Sequence, residues 1–275
     1  MKLVIISDTH GHRPGLPDGD VLIHCGDFST FGTTSELAKF NKWFSSQPHK
    51  HKIIVPGNHD GAVMALGYIL TESGNILLID NMVTIDGVSF YGSPWTPTFM
   101  NWYFMKDRGP AIAERWARIP DNLDVLITHG PPMGVLDWSI YSKEHVGCAD
   151  LLRRVLEIKP KIHCFGHIHA EYGEFTNFGT TFINAAQVSE SYKLINNPVE
   201  KESNFNMRCY DGCPDSELQA LIDAKIKARK EIESLGYTVT YFPMEDKWMA
   251  FKNYLPATKF HNSIIEIASI LKKEI

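Results

Sequence analysis

No apolar run in this 275-residue chain approaches the roughly 20 residues needed to cross a bilayer, so a soluble, cytoplasmic protein is expected rather than a membrane span. A basic excess is lacking too, since 27 Lys and Arg stand against 32 Asp and Glu for a formal charge of -5. That balance disfavours a nucleic-acid partner held by phosphate neutralisation. Cysteine is scarce and odd in number, five residues at positions 25, 148, 164, 209 and 213, which argues against a disulfide framework and suits a reducing compartment. The opening MKLVIISDTHGH has too short an apolar run for a secretory signal, with Asp8 and His10 following at once, and reads as a first strand. There is no fixed-period repeat and no low-complexity tract. Hydrophobic residues at 44% supply enough material for a sizeable core, which excludes global disorder.

What the chain has is a recurrent unit, a short apolar run followed immediately by polar residues: LVII before Ser7, VLIH before Cys25, KIIV before Pro56, VLIT before His129 and KIHCF before Gly166. Runs of this length bounded by turn residues read as buried strands. Helical stretches lie between them. Thr33 to Phe44 opens with a capping box, Thr33 and Glu36, and puts Leu37, Phe40 and Phe44 on one face. Cys148 to Ile158 carries Leu151, Leu152, Val155 and Leu156 and is closed by Pro160. The Asp86-Gly87 pair between VTI and VSFYG predicts a hairpin. This alternation gives an α/β fold, a β-sandwich flanked by helices. From about Asn196 the texture turns polar and Asn-rich, so a domain over 1–199 is followed by a linker and a mostly helical C-terminal extension over 200–275. The extension has helical patterns at Ser216 to Leu235 and Ile264 to Leu271, and room for a strand at Thr238 to Phe242. An oligomer contact, a lid and a stabilising cap all remain open for it.

Each strand end carries metal-compatible donors: Asp8 and His10, Asp27, Asn58 with His59 and Asp60, His129, and His167 with His169. Ligands are expected at the carboxyl ends of sheet strands in open α/β folds. The Asp8, His10 and the His167, His169 spacings would put each pair on one side of an extended segment. Seven donors, Asp8, His10, Asp27, Asn58, His129, His167 and His169, are too many for one ion and suit two that share a carboxylate. With no thiolate among them, manganese is favoured, with iron or zinc as alternatives.

These residues resemble the calcineurin-like metallophosphoesterases, whose DxH, GD, GNH(D/E), THGPP and GHxH pattern reads here as DTH, GD, GNHD, THGPP and GHIH. The resemblance implies a four-layer α/β/β/α fold. It also implies one metal on Asp8, His10, Asp27 and His169 and a second on Asp27, Asn58, His129 and His167, with Asp27 bridging. His59 matches the catalytic histidine that assists the leaving oxygen, and Asp60 would orient it. GSPWTP, AERWARIP, HGPPMGVLD, GCADLL and FGHIHAEYG with INAA narrow the likeness, over residues 1 to about 199, to the MPPED subgroup. That implies hydrolysis of cyclic nucleotides, 2',3'- or 3',5'-cyclic, by a metal-bridged hydroxide. A phosphomonoesterase, a nuclease or a catalytically weak metal-binding scaffold of the same superfamily are the alternatives.

Substrate contacts are less sharply marked. Trp95, Phe99, Trp102, Tyr103 and Phe104 could stack on a base or pack an insert. Arg108 could meet a phosphate or simply cap a helix start, and His12 could touch substrate. His24 and His163 sit within apolar runs and read as core histidines. The expected partner is a small-molecule phosphodiester or nucleotide, with no membrane and nucleic acid disfavoured, and an oligomer contact is one of the three roles open to the extension.

Overall fold

The computed structural model describes residues 1–202 and the strands Thr238–Phe242, Lys247–Lys252 and Leu255–Pro256. Lys2–Ile6 (β1), Val21–His24 (β2), His51–Ile54 (β3) and Ile76–Leu77 (β4) pair in parallel in that order. Asn81–Ile85 (β5), Val88–Ser93 (β6), Val125–Thr128 (β7), Ile162–Phe165 (β8), Gly173–Asn177 (β9) and Thr180–Asn184 (β10) form a second sheet in the order β9-β10-β8-β7-β6-β5. Its four central strands run parallel, and β5 and β9 close the edges as antiparallel hairpins. The β5–β6 hairpin turns on Asp86 and Gly87, both at positive φ (48° and 82°), as a tight two-residue loop requires.

The chain then returns to the first sheet. Val199–Glu202 (β11) runs antiparallel to β1, so part of the polar stretch read as a linker is an edge strand, and the boundary expected at residue 200 falls inside it. Its charges explain why the sequence looked unstructured: Glu200, Lys201 and Glu202 guard an edge against pairing with another chain. Glu200 pairs with Lys2 at 2.6 Å.

Why two sheets stack follows from burial. Every residue of β2, β7 and β8 is buried, as expected of strands covered on both faces. Along β1, Leu3 and Ile5 face Ile23, Ile53, Phe90, Ile127 and Cys164 between the sheets. Val4 and Ile6 point the other way, onto Leu37, Phe40 and Phe44 of the helix Thr34–Ser45. On the far face of the second sheet, Leu126, Phe165 and Phe182 meet Ile112 and Trp116 of helix Pro110–Trp116 and Leu151, Leu152 and Val155 of helix Ala149–Ile158. The order of layers is α/β/β/α. The capping box is present, with Thr33 Oγ1 accepting from Glu36 N–H at 3.2 Å and Glu36 Oε2 from Thr33 N–H at 3.0 Å. Cys25, Cys148 and Cys164 are buried free thiols.

Residues 207–275 form a separate compact unit. Its described strands make an antiparallel sheet in which Thr238–Phe242 pairs with Lys247–Lys252 and the latter with Leu255–Pro256. The helical patterns expected at 216–235 and 264–271, and Cys209 and Cys213, lie outside the described residues. No helix among the described residues is long and apolar enough to cross a membrane.

Two core histidines give the fold a pH dependence. His24 is fully buried, edge-on to Phe40 at 5.2 Å, with Nε2 3.0 Å from Thr9 Oγ1. His163 is fully buried with Nε2 2.8 Å from Thr128 Oγ1. Burial pushes both down to about 3, so each is neutral in the fold over most of the acid range. Unfolded, each titrates near 6.5. The stability tied to them is therefore intact above that pH and falls as the pH drops toward 3, by about 2 kcal/mol per ring at pH 5. Urea unfolding of wild type and His163→Gln between pH 7 and 5 should give a shallower fall for the variant. Parallel curves would refute the claim.

Candidate metal centre

Five loops reach one point because the strands that precede them are parallel within each sheet and end at the same edge. Asp8 and His10 follow β1, Asp27 follows β2, Asn58 and His59 follow β3, His129 follows β7, and His167 and His169 follow β8. Backbone bonds tie loop to loop: Asp8 N–H to Gly26 O at 2.8 Å, His10 N–H to Asp27 O at 3.0 Å, and Gly166 N–H to His129 O at 2.9 Å. The expectation that Asp8 and His10, and His167 and His169, share a face of an extended segment is corrected. Asp8, His10, Asp27 and His167 all stand at positive φ (51°, 41°, 58° and 71°) just past their strands. Such backbone is rare for residues with a Cβ and persists where the surroundings enforce it.

Glycines make the room. A Cβ on Gly26, itself at φ 109°, would lie 2.5 Å from His129 Nδ1 and 2.8 Å from Gly57 N. A Cβ on Gly57 would lie 2.7 Å from His129 Cε1 and would collide with Asp27 Oδ1, while one on Gly166 would collide with Asp8 Oδ2 and Ser7 Oγ. Gly57→Ala should therefore displace Asp27 or His129 and weaken metal binding by about 10- to 100-fold, the range seen when groups supporting a ligand are removed. Calorimetric metal titration checks this, and an unchanged affinity would refute it.

The donors themselves converge. Asp8, His10 and His169 form one group of potential ligand atoms within 4.8 Å of one another, Asp27, His129 and His167 a second, and His10, Asp27 and His59 a third. Asp27 Oδ2 lies 3.2 Å from His129 Nε2, 3.9 Å from His10 Nε2 and 4.0 Å from His59 Nε2. Asn58 Oδ1 is 2.9 Å from His129 Nε2, and His10 Nε2 is 3.3 Å from His169 Nε2. The outer nitrogens are held by carbonyls: His10 Nδ1 at 2.9 Å from Ser29 O, His129 Nδ1 at 2.9 Å from Cys25 O and His169 Nδ1 at 3.3 Å from Ser189 O. With Nδ1 of each ring directed outward to a carbonyl, Nε2 faces inward, the nitrogen that a cation would take in place of a proton.

Electrostatics prepare the same outcome. Burial alone would raise the Asp8 and Asp27 carboxyls, but His169 and His129 hold Asp8, and His129, His10 and His59 hold Asp27, well below the ordinary carboxylate range. Burial pushes His10 down to about 4 and His167 down to about 3, so both rings are neutral at pH 7. Burial opposes charge on His129 as well, yet Asp27 and Asp8 outweigh it and hold this ring up to about 9. The set fits divalent cations: two ionised carboxylates face the neutral rings of His10 and His167, the glycines leave the hollow clear, and Asp8 Oδ1 is buried without a hydrogen-bond partner.

Other residues marked in the sequence fall differently. Asp60 does not hold the His59 ring. Its Oδ2 accepts from Asp27 N–H and Gly57 N–H, both at 2.8 Å, and its Oδ1 from Ser29 N–H at 2.9 Å. It fastens the Asp27 loop to the Asn58 loop, and burial with the Asp27 charge pushes its carboxyl up to about 8 against the pull of those amides. The His59 ring is oriented instead by the Thr30 carbonyl, 2.7 Å from Nδ1. Backbone acceptors leave no trace in a sequence, so this partner could not be read there.

A cavity of about 680 Å³ opens over the donors, lined by Asp27, Asn58, His59, His167 and His169 with Phe99, Trp102, Arg108, Glu190 and Tyr192 among its walls. Arg108 lines it with both terminal nitrogens committed, Nη1 at 2.7 Å from Gly147 O and Nη2 at 2.6 Å from Val146 O. Trp95 does not line it. Its Nε1–H donates to Asp80 at 2.8 Å and Arg115 covers its ring at 4.5 Å, so this tryptophan belongs to a structural cluster. His12 is also outside, exposed, with Nε2 2.9 Å from Tyr192 O. Glu190 and Tyr192, which follow the last donor by some twenty residues, carried no motif that could have announced them. Tyr192 lies edge-on to His10 at 4.7 Å.

Residues 1–171 match the calcineurin-like phosphoesterase family. The chain is 40% identical over 228 residues to human metallophosphoesterase domain-containing protein 1, covering 72% of this chain and 69% of that protein. It is 43% identical over 220 residues to a UPF0046 protein of Caenorhabditis elegans, covering 72% and 74%. A solved structure with 15% sequence identity superposes with a TM-score of 0.52 over 66% of this chain and 89% of its own, a likeness of fold.

Proposed function

We propose, since this chain belongs to the calcineurin-like phosphoesterase family and is therefore a metal-dependent phosphoester hydrolase, that it cleaves phosphodiesters, with 2',3'- or 3',5'-cyclic nucleotides as the substrate class. The observation that carries this reading is the position of Asp27, whose carboxylate stands between the group of Asp8, His10 and His169 and that of His129 and His167. This supports two ions sharing Asp27, the first held by Asp8, His10 and His169 and the second by Asn58, His129 and His167. The oxygen and nitrogen donors, without thiolate, favour manganese, then iron or zinc. Such ions would supply an activated water at neutral pH and neutralise the phosphate oxygens.

The chain's own part is positioning and proton transfer. His59, with Nδ1 held by Thr30 O, turns Nε2 toward the Asp27 side of the cavity. There the imidazolium gives its Nε2 proton to the leaving oxygen as the phosphorus–oxygen bond breaks, and that oxygen keeps the bonding pair. Among the described cavity residues Arg108 is the single fixed cation and it is tied to two carbonyls, so beyond the ions the chain offers no free cation to the second charge of a monoester. The volume and the aromatic walls suit a nucleoside.

Purified protein loaded in turn with Mn, Fe, Zn and Mg should turn over cyclic nucleotides faster than linear diesters, and both faster than monoesters. Preference for monoesters would overturn the substrate class, and absence of turnover with metal bound would favour the scaffold reading.

A further inference from the structure

His59 is held by more than the Thr30 carbonyl. The Trp102 ring lies over its face with centroids 4.1 Å apart and planes 33° from parallel, while His10 meets its edge at 4.9 Å and 89°. His10 and Thr30 come from the loops that build the metal centre. Trp102 comes from elsewhere, the segment between β6 and helix Pro110–Trp116.

That segment is docked onto the His59 loop. Tyr103 N–H donates to Asn58 O at 3.2 Å, one residue before His59. The Tyr103 ring lies so close over Gly61, two residues after His59, that no Cβ would fit between them. Phe104 is buried, and Thr96 N–H donates to its carbonyl at 3.0 Å, closing the segment at its base. Trp102 is thus carried to the ring from both sides of the loop.

We propose that Trp102 is a positioning residue for proton donation, covering the face of His59 so that Nε2 stays aimed at the leaving oxygen. This rests on the reading of His59 as the proton donor. An imidazole anchored through one nitrogen can still swing about its Cβ–Cγ bond, and a small misalignment of a reacting group is costly in rate. With the Trp102 ring laid over it, the swing toward that side is blocked.

The test uses the Mn-loaded full chain and methyl aryl phosphates whose leaving phenols run from 4-nitrophenol to phenol, substrates that carry no base. Nitrophenolate departs with little help from an acid, whereas phenolate needs the proton. His59→Gln sets the signature, a fall in kcat on the phenyl ester of about 100-fold or more that shrinks toward the nitrophenyl ester. Trp102→Leu should tilt the series the same way, with the ratio of phenyl to nitrophenyl kcat falling about tenfold, KM and bound metal as in wild type, and Trp102→Phe recovering most of the loss. The phenylalanine variant keeps the test available if leucine impairs folding, since it should still show a two- to three-fold tilt, about the residue of an imperfect cover. An equal fall across all leaving groups, or a rise in KM alone, would overturn the inference and leave the role of His59 standing. A His59→Gln enzyme with no tilt would overturn that role, and the inference with it.

Discussion

Asp27→Ala should bind neither ion and lose all measurable turnover, the largest effect expected of any single substitution in this protein. Its Oδ2 lies within 4.0 Å of His129, His10 and His59 together, so its removal takes a ligand from both groups of donors. Truncation also leaves His59 N–H without the Oδ1 acceptor it meets at 2.7 Å. A ligand that binds only the folded state stabilises it by about 2.7 kcal/mol at 100 times its Kd. Wild-type protein should gain that much on Mn titration and the variant should gain none. Elemental analysis after dialysis, with thermal melts across a Mn series, measures both. Two retained ions per chain would refute the shared-carboxylate arrangement.

His59→Gln should behave in the opposite way, keeping its metal while losing 10²- to 10⁴-fold in kcat on cyclic nucleotides, the usual range for a positioned general acid. The His59 ring meets the Asp27 carboxylate only at 4.0 Å, whereas His129 meets it at 3.2 Å and also sits 2.9 Å from the Asn58 amide. Glutamine can still reach the Thr30 carbonyl but has no proton to yield near neutral pH. The Mn-dependent rise in melting temperature should therefore persist as catalysis falls. Loss of both together would make His59 a ligand and would remove the proton-transfer step. These two variants separate the holding of metal from the use of it.

The strands that carry the donors were legible because they are buried. VLIH, VLIT and IHCF spell continuous apolar runs, and each observed strand falls on or within one residue of its run. The helix at Thr34–Ser45 was legible from its cap, since Thr33 and Glu36 are spaced as their reciprocal bonds require. β11 was not, because an edge strand with solvent on one side is written in Glu and Lys. Asp60 was misread for a different reason. The resemblance implied that it orients the His59 ring, but adjacent residues diverge, and its carboxylate faces the amides of Asp27, Ser29 and Gly57. Trp95 and Trp102 looked alike in the sequence. Asp80 and Arg115 draw the first into a structural cluster, and the Tyr103 link to Asn58 delivers the second to His59.

By itself the sequence marked the seven candidate donors, the glycines beside them and the parallel strands they follow, because residue type, short-range spacing and apolar pattern are local properties of the chain. Only the tertiary structure decided which donors meet and what holds them. His10 and His169 are 159 positions apart and 3.3 Å distant, a closeness set by how two sheets stack. The Thr30 carbonyl, the amides around Asp60 and the Trp102 cover act through backbone groups and packed faces, which depend on where distant segments come to rest.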